Sequence, residues 1–237
     1  VLQPSINEAT LRLLTRHGAE VVYPENTGCC GSLVHHMGKS DRAHAQAKVM
    51  IDAWHRDTKE GGGKGLDAIV INASGCGTTI KDYGFMFRND PDYAEKAELI
   101  SSLAKDVTEF LFDVGLMPSV VETGQRIAYH SACSMQHGQK ITTQPKDLLK
   151  AAGFKVQDVP QGHLCCGSAG TYNILQPEIS AKLLENKVAN IEKTRPEFIA
   201  TGNIGCITQI GQGTDIPIVH TVEVLDWTSG GPKPEGI

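Results

Sequence analysis

The chain has 237 residues, of which 40% are hydrophobic and 21% are charged, and its formal net charge is −5. That length is sufficient for one or two domains, each with a buried core. The acidic balance argues against the basic surface that a nucleic-acid-binding protein needs. No apolar run approaches the roughly 20 residues that span a bilayer, and no leader precedes the first predicted helix. We therefore expect a cytoplasmic protein with no transmembrane segment and no nucleic-acid partner.

Cysteine is the unusual feature of the composition. The chain contains seven cysteines, and four of them form two adjacent pairs, Cys29-Cys30 and Cys165-Cys166. Neighbouring cysteines are poor disulfide partners because a bridge between them strains the intervening peptide. An odd number of cysteines in a chain of this length favours reduced thiols that act as metal or redox ligands.

The first half of the chain alternates between helical and strand patterns. It predicts a helix that ends at Gly18, a strand at 19–23, a Cys-Cys-Gly motif at 29–31, a helix at 42–55 and a strand at 67–71 that leads to Cys76. The glycine-rich run at 61–65 predicts an exposed loop. A short apolar phrase at 107–111 closes this half.

The second half repeats the same order of elements. It predicts a helix that ends at Gly153, a strand at 154–159, a second Cys-Cys-Gly motif at 165–167, a helix at 179–193 and a strand at 197–201 that leads to Cys206. A strand at 126–130 precedes Cys133, and the phrase at 221–225 resembles that at 107–111. We therefore predict two tandem copies of one unit, at 1–119 and 120–227, followed by a disordered tail at 228–237.

Alternation of helices with short apolar strands indicates an α/β fold. We expect βαβ-type units with parallel sheets, related by an approximate twofold axis, and buried strands at 69–71 and 127–129. Because the carboxyl ends of parallel strands meet at one edge of a sheet, the cysteines of each copy are expected to converge there.

The second copy contains a full set of four cysteines: Cys133, Cys165, Cys166 and Cys206. Four thiolates suit an iron–sulfur cluster or a zinc ion. Neighbouring glycines allow the backbone to approach such a group and donate amide hydrogen bonds to it. The glycines expected in this role in the two copies are Gly31, Gly75, Gly167 and Gly205.

The first copy contains only three cysteines: Cys29, Cys30 and Cys76. The 32-residue step from Cys133 to Cys165, applied backwards from Cys29, falls at position −3, before Val1. We therefore expect a chain cut from a longer protein, with a damaged first site. A lone cysteine is more often a small buried hydrophobe than a ligand, but two copies of one pattern favour ligands. Any of the neighbouring histidines could line a site, but solvated or core-packed side chains are the favoured expectation for all four: His35, His36, His130 and His137.

Several phrases resemble the cysteine-rich CCG domain family, which also occurs in heterodisulfide reductases. The greatest likeness is to the carboxy-terminal part of the iron–sulfur subunits of glycolate oxidases (glycolate dehydrogenases). The phrases lie at 3–10, 51–54, 73–77 with 81–84, 163–172 and 203–206. The resemblance implies an electron-transfer subunit whose partners are FAD-containing glycolate oxidase subunits, which oxidise glycolate to glyoxylate.

Two departures from these relatives affect the expected cofactor. The resemblance implies an amino-terminal ferredoxin-like part with two [4Fe–4S] clusters as a further partner, but this chain lacks its Cys-x2-Cys-x2-Cys-x3-Cys-Pro run. The fifth cysteine that holds the non-cubane cluster of heterodisulfide reductase is replaced by Thr79 and Gln209. A cubane [4Fe–4S] cluster is therefore favoured, with a zinc ion or an empty site as alternatives.

No residue of this chain is predicted to be catalytic. The sequence contains no Gly-x-Gly-x-x-Gly after a predicted strand, so flavin chemistry belongs to a partner and the isolated chain is expected to be inactive. Alternative functions are a lactate-utilisation iron–sulfur protein, or a zinc-binding or metal-free docking domain for flavin subunits. Contact with the inner face of the membrane is expected only through partners.

Overall fold

A computed structural model describes residues 3–237, which form two compact units. One unit comprises residues 22–106, and the other comprises residues 3–21 with residues 107–237. The helices are α1 (Pro4–Arg16), α2 (Ser32–His36), α3 (Ser40–His55), α4 (Ser74–Lys81), α5 (Tyr83–Met86), α6 (Ala94–Leu103), α7 (Val107–Val114), α8 (Gln144–Ala151), α9 (Tyr172–Leu175), α10 (Pro177–Glu192), α11 (Ile204–Ile210) and α12 (Thr221–Thr228). The strands are β1 (Ile69–Ile71), β2 (Ala104–Asp106), β3 (Arg126–Tyr129), β4 (Lys155–Asp158), β5 (Phe198–Thr201) and β6 (Ile218–His220).

The larger unit is built on a four-stranded parallel sheet in the order β4-β3-β5-β6. The central strands are in register from Ile127 opposite Phe198 to Tyr129 opposite Ala200. These strands are buried on both faces, as the predicted apolar run at 127–129 requires. The α/β class with parallel strands is therefore confirmed.

The first and the last helix of the chain, α1 and α12, pack together in this unit. Helix α1 packs on α12, where Arg12 and Arg16 both contact the carboxylate of Asp226, with N–O distances of 2.7 and 2.9 Å. Asp226 is almost fully buried, so these two guanidinium groups compensate its charge. Helix α12 begins with a capping box, in which the Glu223 side chain accepts the His220 N–H.

The smaller unit has a two-stranded parallel sheet, β1 beside β2, from Ile69 opposite Ala104 to Ile71 opposite Asp106. Its apolar core lies between this sheet and the surrounding helices and includes Ile51, Trp54 and Tyr83. The predicted helix at 42–55 and the buried strand at 69–71 are confirmed. The glycine-rich segment at 61–64 is an exposed loop, also as predicted.

One predicted strand is wrong. Residues 19–23 are irregular, and the side chains of Val22 and Tyr23 are exposed to 50% and 70%. A β-prone segment forms a strand only when a neighbouring strand satisfies its backbone. Among residues 3–237, no strand pairs with this segment.

The division into copies at 1–119 and 120–227 stays a prediction, as does the twofold relation between them. The expected tail begins at the last residue of α12, and the following residues contact that helix. The Gly231 N–H donates to the Asp226 carbonyl at 2.7 Å, and the Lys233 ammonium lies 5.6 Å from the centre of the Trp227 ring.

No helix within residues 3–237 is both long and apolar enough to cross a membrane.

Candidate metal centre

Three loops at the carboxyl edge of the four-stranded sheet carry four cysteines. Cys133 lies in the loop after β3, the Cys165-Cys166 pair lies in the loop after β4, and Cys206 lies in the first turn of α11, after β5. This parallel topology brings together residues that are up to 73 positions apart (206 − 133). The predicted convergence of these cysteines at one sheet edge is therefore observed.

The four thiols form a continuous chain of contacts. The Cys166 thiol donates to the Cys206 sulfur at 3.5 Å, and Cys165 shares hydrogen bonds with both Cys133 and Cys166. The Gly167 N–H also donates to the Cys165 sulfur at 3.3 Å. Cys166 and Cys206 are buried, whereas Cys133 and Cys165 are partly accessible. One side of the cluster is thus closed and the other is open to an incoming ion.

Sharing of protons separates the pKa values of the four thiols. Hydrogen bonds from Cys133 and Cys166 hold the pKa of Cys165 far below its ordinary value, and a hydrogen bond from Cys166 lowers the pKa of Cys206. The same contacts, together with burial, raise the pKa values of Cys133 and Cys166. The shared protons therefore favour the thiolate form at Cys165 and Cys206 over Cys133 and Cys166, and a soft metal ion would displace the protons that remain.

His130 directly follows β3 and belongs to the same cluster. One of its ring nitrogens and the sulfurs of Cys166 and Cys206 all lie within 4.8 Å of one another. The side chain is 2% exposed, and neither ring nitrogen has a nitrogen or oxygen hydrogen-bond partner within residues 3–237. Its imidazole helps to lower the pKa of Cys206. A buried imidazole directed at thiolates is suited to donate to a metal-bound sulfur or to bind a metal itself.

Close packing fixes the backbone of the second Cys-Cys-Gly motif. Gly167 has a φ of +99°, and a Cβ atom there would lie 2.6 Å from the Ser180 carbonyl oxygen of α10. Only glycine accepts both this φ and this approach. Asn203 caps α11 by accepting the N–H groups of Gly205 and Cys206, which fixes the turn that holds the cysteine.

Gln209, three residues after Cys206, belongs to a buried hydrogen-bond network. The Gln209 amide donates to the Ser180 hydroxyl at 3.0 Å, and Ser180 donates to the Gly167 carbonyl at 2.9 Å. Asn173 in turn donates to the Gln209 side-chain oxygen at 3.1 Å. Gln209 therefore supports the Cys-Cys-Gly loop through the Ser180 hydroxyl.

The smaller unit brings together the other three cysteines. Cys30 is buried, Cys76 is partly buried and Cys29 is exposed. A hydrogen bond with Cys76 raises the pKa of Cys30 and lowers the pKa of Cys76, and Cys29 shares a further hydrogen bond with Cys30. Within residues 22–106 there is no fourth cysteine.

The Cys-Cys-Gly loop of the smaller unit is held by the same kind of contact. Gly31 has a φ of +82°, and a Cβ atom there would lie 2.8 Å from the Ala43 carbonyl oxygen of α3. The Tyr83 hydroxyl donates to the Cys30 carbonyl at 2.8 Å, and the Ser32 hydroxyl donates to the Gly75 carbonyl at 3.3 Å. The loop is therefore rigid, although it presents only three sulfurs.

The sulfur donors of both sites fit soft metal ions and iron–sulfur clusters better than Mg²⁺ or Ca²⁺. The sequence analysis expected His130 to be solvated or packed in the core and did not select it as a ligand, whereas the structure shows it buried beside Cys166 and Cys206. His35, His36 and His137 are indeed exposed. The signal that distinguishes His130 is its place immediately after the central strand β3, at the edge where the cysteines meet.

Comparisons with known proteins agree with this chemistry. The sequence profile of the cysteine-rich domain family, CCG, matches residues 1–81 and 127–211. The glycolate oxidase iron-sulfur subunit of Escherichia coli (strain K12) is 38% identical over 225 residues, which cover 95% of this chain and 54% of that protein. The probable glycolate oxidase iron-sulfur subunit of Bacillus subtilis (strain 168) is 32% identical, with 92% and 50% covered.

A second group of relatives has a different name. Lactate utilization protein A of Oceanobacillus iheyensis is 29% identical over 228 residues, which cover 93% of this chain and 90% of that protein. The chain therefore spans about half the length of the two glycolate oxidase subunits and most of the length of this third relative.

Proposed function

Because the chain belongs to the cysteine-rich CCG domain family, we propose that it is the electron-transfer part of an iron–sulfur subunit in a glycolate oxidase complex. The observation that carries this proposal is the convergence of Cys133, Cys165, Cys166 and Cys206 at one sheet edge. The names of the relatives that are 38% and 32% identical support it.

The proposed cofactor of the larger unit is a cubane [4Fe–4S] cluster bound by Cys133, Cys165, Cys166 and Cys206. A cubane has four irons and requires one external ligand for each, which these cysteines supply. Gln209 stands at the sequence position of the fifth ligand and is hydrogen-bonded, which argues against the non-cubane cluster. When bound, such a cluster supplies one-electron transfer.

The surrounding residues would orient and tune this group. The Gly167 N–H already donates to the Cys165 sulfur, and it would stabilise the thiolate in the same way. His130 is placed to donate to the thiolate of Cys206 or Cys166. The almost complete burial of Cys166 and Cys206 limits access of water to that side of the site.

The three-cysteine site is proposed to be incomplete within residues 22–106. A metal or cluster held by Cys29, Cys30 and Cys76 would keep one position for water or for another ligand, which weakens binding. We also propose that the two sites belong to duplicated copies of one unit. The match of one family profile to two stretches and the similar approaches of Gly31 to α3 and of Gly167 to α10 support this proposal.

The oxidation of glycolate is assigned to FAD-containing partner subunits, which would pass electrons to this chain in the cytoplasm. Because the sequence contains no Gly-x-Gly-x-x-Gly after a predicted strand, we expect no turnover of glycolate by the chain alone. The ferredoxin-like part of the relatives would complete the path of electrons. A lactate-utilisation complex is the second candidate, because the chain spans 90% of lactate utilization protein A.

The experiment that tests the function uses the whole chain, reconstituted anaerobically with iron and sulfide. We expect bound iron and sulfide, a visible absorption that bleaches with dithionite, and bleaching by glycolate only when the flavin subunits are added. Bleaching by L-lactate but not by glycolate, in the presence of the corresponding dehydrogenase partners, would favour the second candidate. Tightly bound zinc with no capacity for iron and sulfide would contradict electron transfer and support a docking domain.

A further inference from the structure

A buried lysine lies behind the four-cysteine site. Lys187 is on the inward face of α10 and is 1% exposed, which is unusual for a charged side chain. Its ammonium group donates to the carbonyl oxygens of Gln161 and Gly162, both at 3.4 Å. No carboxylate of residues 3–237 forms an ion pair with it. A buried ammonium with only long hydrogen bonds to carbonyls is costly unless an anion lies close by.

The groups that favour a charged Lys187 are the four cysteines in their thiolate forms. Burial lowers the pKa of Lys187, whereas the charges of Cys166, Cys165, Cys206 and Cys133 all raise it. The two carbonyls that Lys187 contacts lie only three and four residues before Cys165. When a cubane cluster is bound, the four thiolates outweigh the positive charge of its core, and one-electron reduction adds a further negative charge beside this ammonium.

The contacts of Lys187 also connect two of the cysteine loops. The Gly162 carbonyl accepts from the Gln136 amide at 3.1 Å, and the same amide donates to the Ser131 carbonyl at 3.1 Å. Ser131 lies in the loop that leads to Cys133. A purely mechanical role for Lys187, as a clamp on these loops, is therefore the alternative to an electrostatic role.

The smaller unit has a neutral side chain at the corresponding place. The Ala43 carbonyl lies against Gly31 as the Ser180 carbonyl lies against Gly167, and seven residues farther along each helix stand Met50 and Lys187. The Met50 sulfur accepts the Gly28 N–H at 3.0 Å. Both side chains thus secure the segment before the cysteine pair, but only Lys187 brings a positive charge.

We propose that Lys187 is a built-in countercharge of the four-cysteine site, which favours the reduced and more negative state of the bound cluster. This inference rests on the proposed iron–sulfur function and adds a residue that sets the reduction potential. Net charge and nearby polar groups are among the factors that set the potentials of iron–sulfur clusters. Removing the positive charge should therefore lower the potential.

The test compares four variants of the full chain after anaerobic reconstitution. Lys187→Met removes the charge and the hydrogen bonds, Lys187→Gln keeps a hydrogen-bond donor without the charge, and Lys187→Arg keeps the charge. Lys182→Met removes an exposed lysine of the same helix and is the matched control. Midpoint potentials are measured by redox titration monitored by electron paramagnetic resonance, and folding is checked by circular dichroism.

We expect Lys187→Met and Lys187→Gln to lower the potential by an amount equivalent to about a tenfold change in the one-electron equilibrium, about 59 mV. Lys187→Arg and Lys182→Met should stay near the wild-type value. A wild-type potential in Lys187→Gln would overturn the proposal and assign Lys187 to the mechanical role. Equal shifts in Lys187→Arg and Lys187→Met would also overturn it.

A second measurement separates this inference from the proposed function. Cd²⁺ binds thiolates and gives a ligand-to-metal charge-transfer absorption band, whether or not the chain accepts an iron–sulfur cluster. We expect the affinity of the four-cysteine site for Cd²⁺ to fall about tenfold in Lys187→Gln and to be unchanged in Lys182→Met. If the wild type takes no cluster, the proposed function fails, while the Cd²⁺ result still decides the role of Lys187. Unchanged Cd²⁺ affinity in Lys187→Gln would refute the countercharge.

Discussion

The two cysteine sites share their backbone devices and differ in their side chains. In both, a Cys-Cys-Gly loop with a left-handed glycine packs against the second helix that follows it, α3 or α10, and another cysteine lies in the first turn of a helix after a buried strand. The larger unit adds a fourth cysteine and the buried His130, whereas the smaller unit has three cysteines. The same rigid loop backbone therefore occurs with two different sets of ligand side chains. A few side chains decide which site offers a metal a complete set of ligands.

The largest difference in metal affinity between the two sites should appear when one buried cysteine is removed from each. Structural zinc sites with four ligands bind with about 10–16 kcal/mol, so one thiolate contributes roughly 3 kcal/mol, or about 100-fold in affinity. We expect Cys166→Ser to lose that much affinity at the tightest Cd²⁺ site, as measured by competition with a chelator. The matched variant Cys30→Ser should leave the tightest site unchanged. Equal losses in both variants would show that the two sites are equivalent.

His130 provides the second way to sharpen the comparison. It lies beside Cys166 and Cys206, and residues that support metal ligands contribute about 10–100-fold in metal affinity. We expect His130→Leu to weaken Cd²⁺ binding at the tightest site by about tenfold. His36→Leu, which changes an exposed histidine of the smaller unit, is the control and should have no effect. If both variants bind Cd²⁺ as the wild type does, His130 is only a core residue.

The glycines of the two loops should be equally intolerant of a side chain. Gly167→Ala and Gly31→Ala each combine a left-handed φ with a Cβ atom 2.6 or 2.8 Å from a backbone oxygen. We expect each to lower the free energy of unfolding of its unit by about 1–3 kcal/mol, or more if the helix cannot shift. Gly18→Ala and Gly38→Ala have a similar φ with no neighbour within 4 Å and are the controls, expected to cost less. If urea unfolding shows the same loss of stability in the loop variants as in the controls, the close packing of Gly31 and Gly167 does not contribute to stability.

The smallest effect on stability is expected for Tyr83, whose contact with the Cys-Cys-Gly loop is found, among the described residues, only at the three-cysteine site. Its hydroxyl donates to the Cys30 carbonyl, and the loss of one buried hydrogen bond costs about 0.5–1.5 kcal/mol. We expect Tyr83→Phe to destabilise the smaller unit by about 1 kcal/mol in urea unfolding. Binding of Cd²⁺ at the four-cysteine site should not change. A loss of that binding would mean that the sites depend on each other.

The sequence alone predicted the parts of the fold that depend on local pattern. The helices predicted at 42–55 and 179–193 and the buried strands predicted at 69–71 and 127–129 follow from apolar periodicity and correspond to α3, α10, β1 and β3. The meeting of Cys133, Cys165 and Cys206 follows from parallel topology, because strand ends share an edge.

The sequence did not predict features that depend on distant partners. The segment at 19–23 has strand propensity, but no neighbouring strand pairs with it within residues 3–237. His130 and Lys187 are polar types that are usually exposed, and only the packing of distant elements makes them buried. For Lys187, a place on the same helix face as Ser180 and Ile191 was the available signal.

The central claim is that the four-cysteine site alone holds a complete set of ligands among the described residues. Its most direct test is electron paramagnetic resonance of the dithionite-reduced chain, with iron and sulfide analysis, in the wild type, Cys206→Ser and Cys76→Ser. We predict one cubane signal that is lost in Cys206→Ser and retained in Cys76→Ser. A signal that persists in Cys206→Ser and disappears in Cys76→Ser would contradict the account.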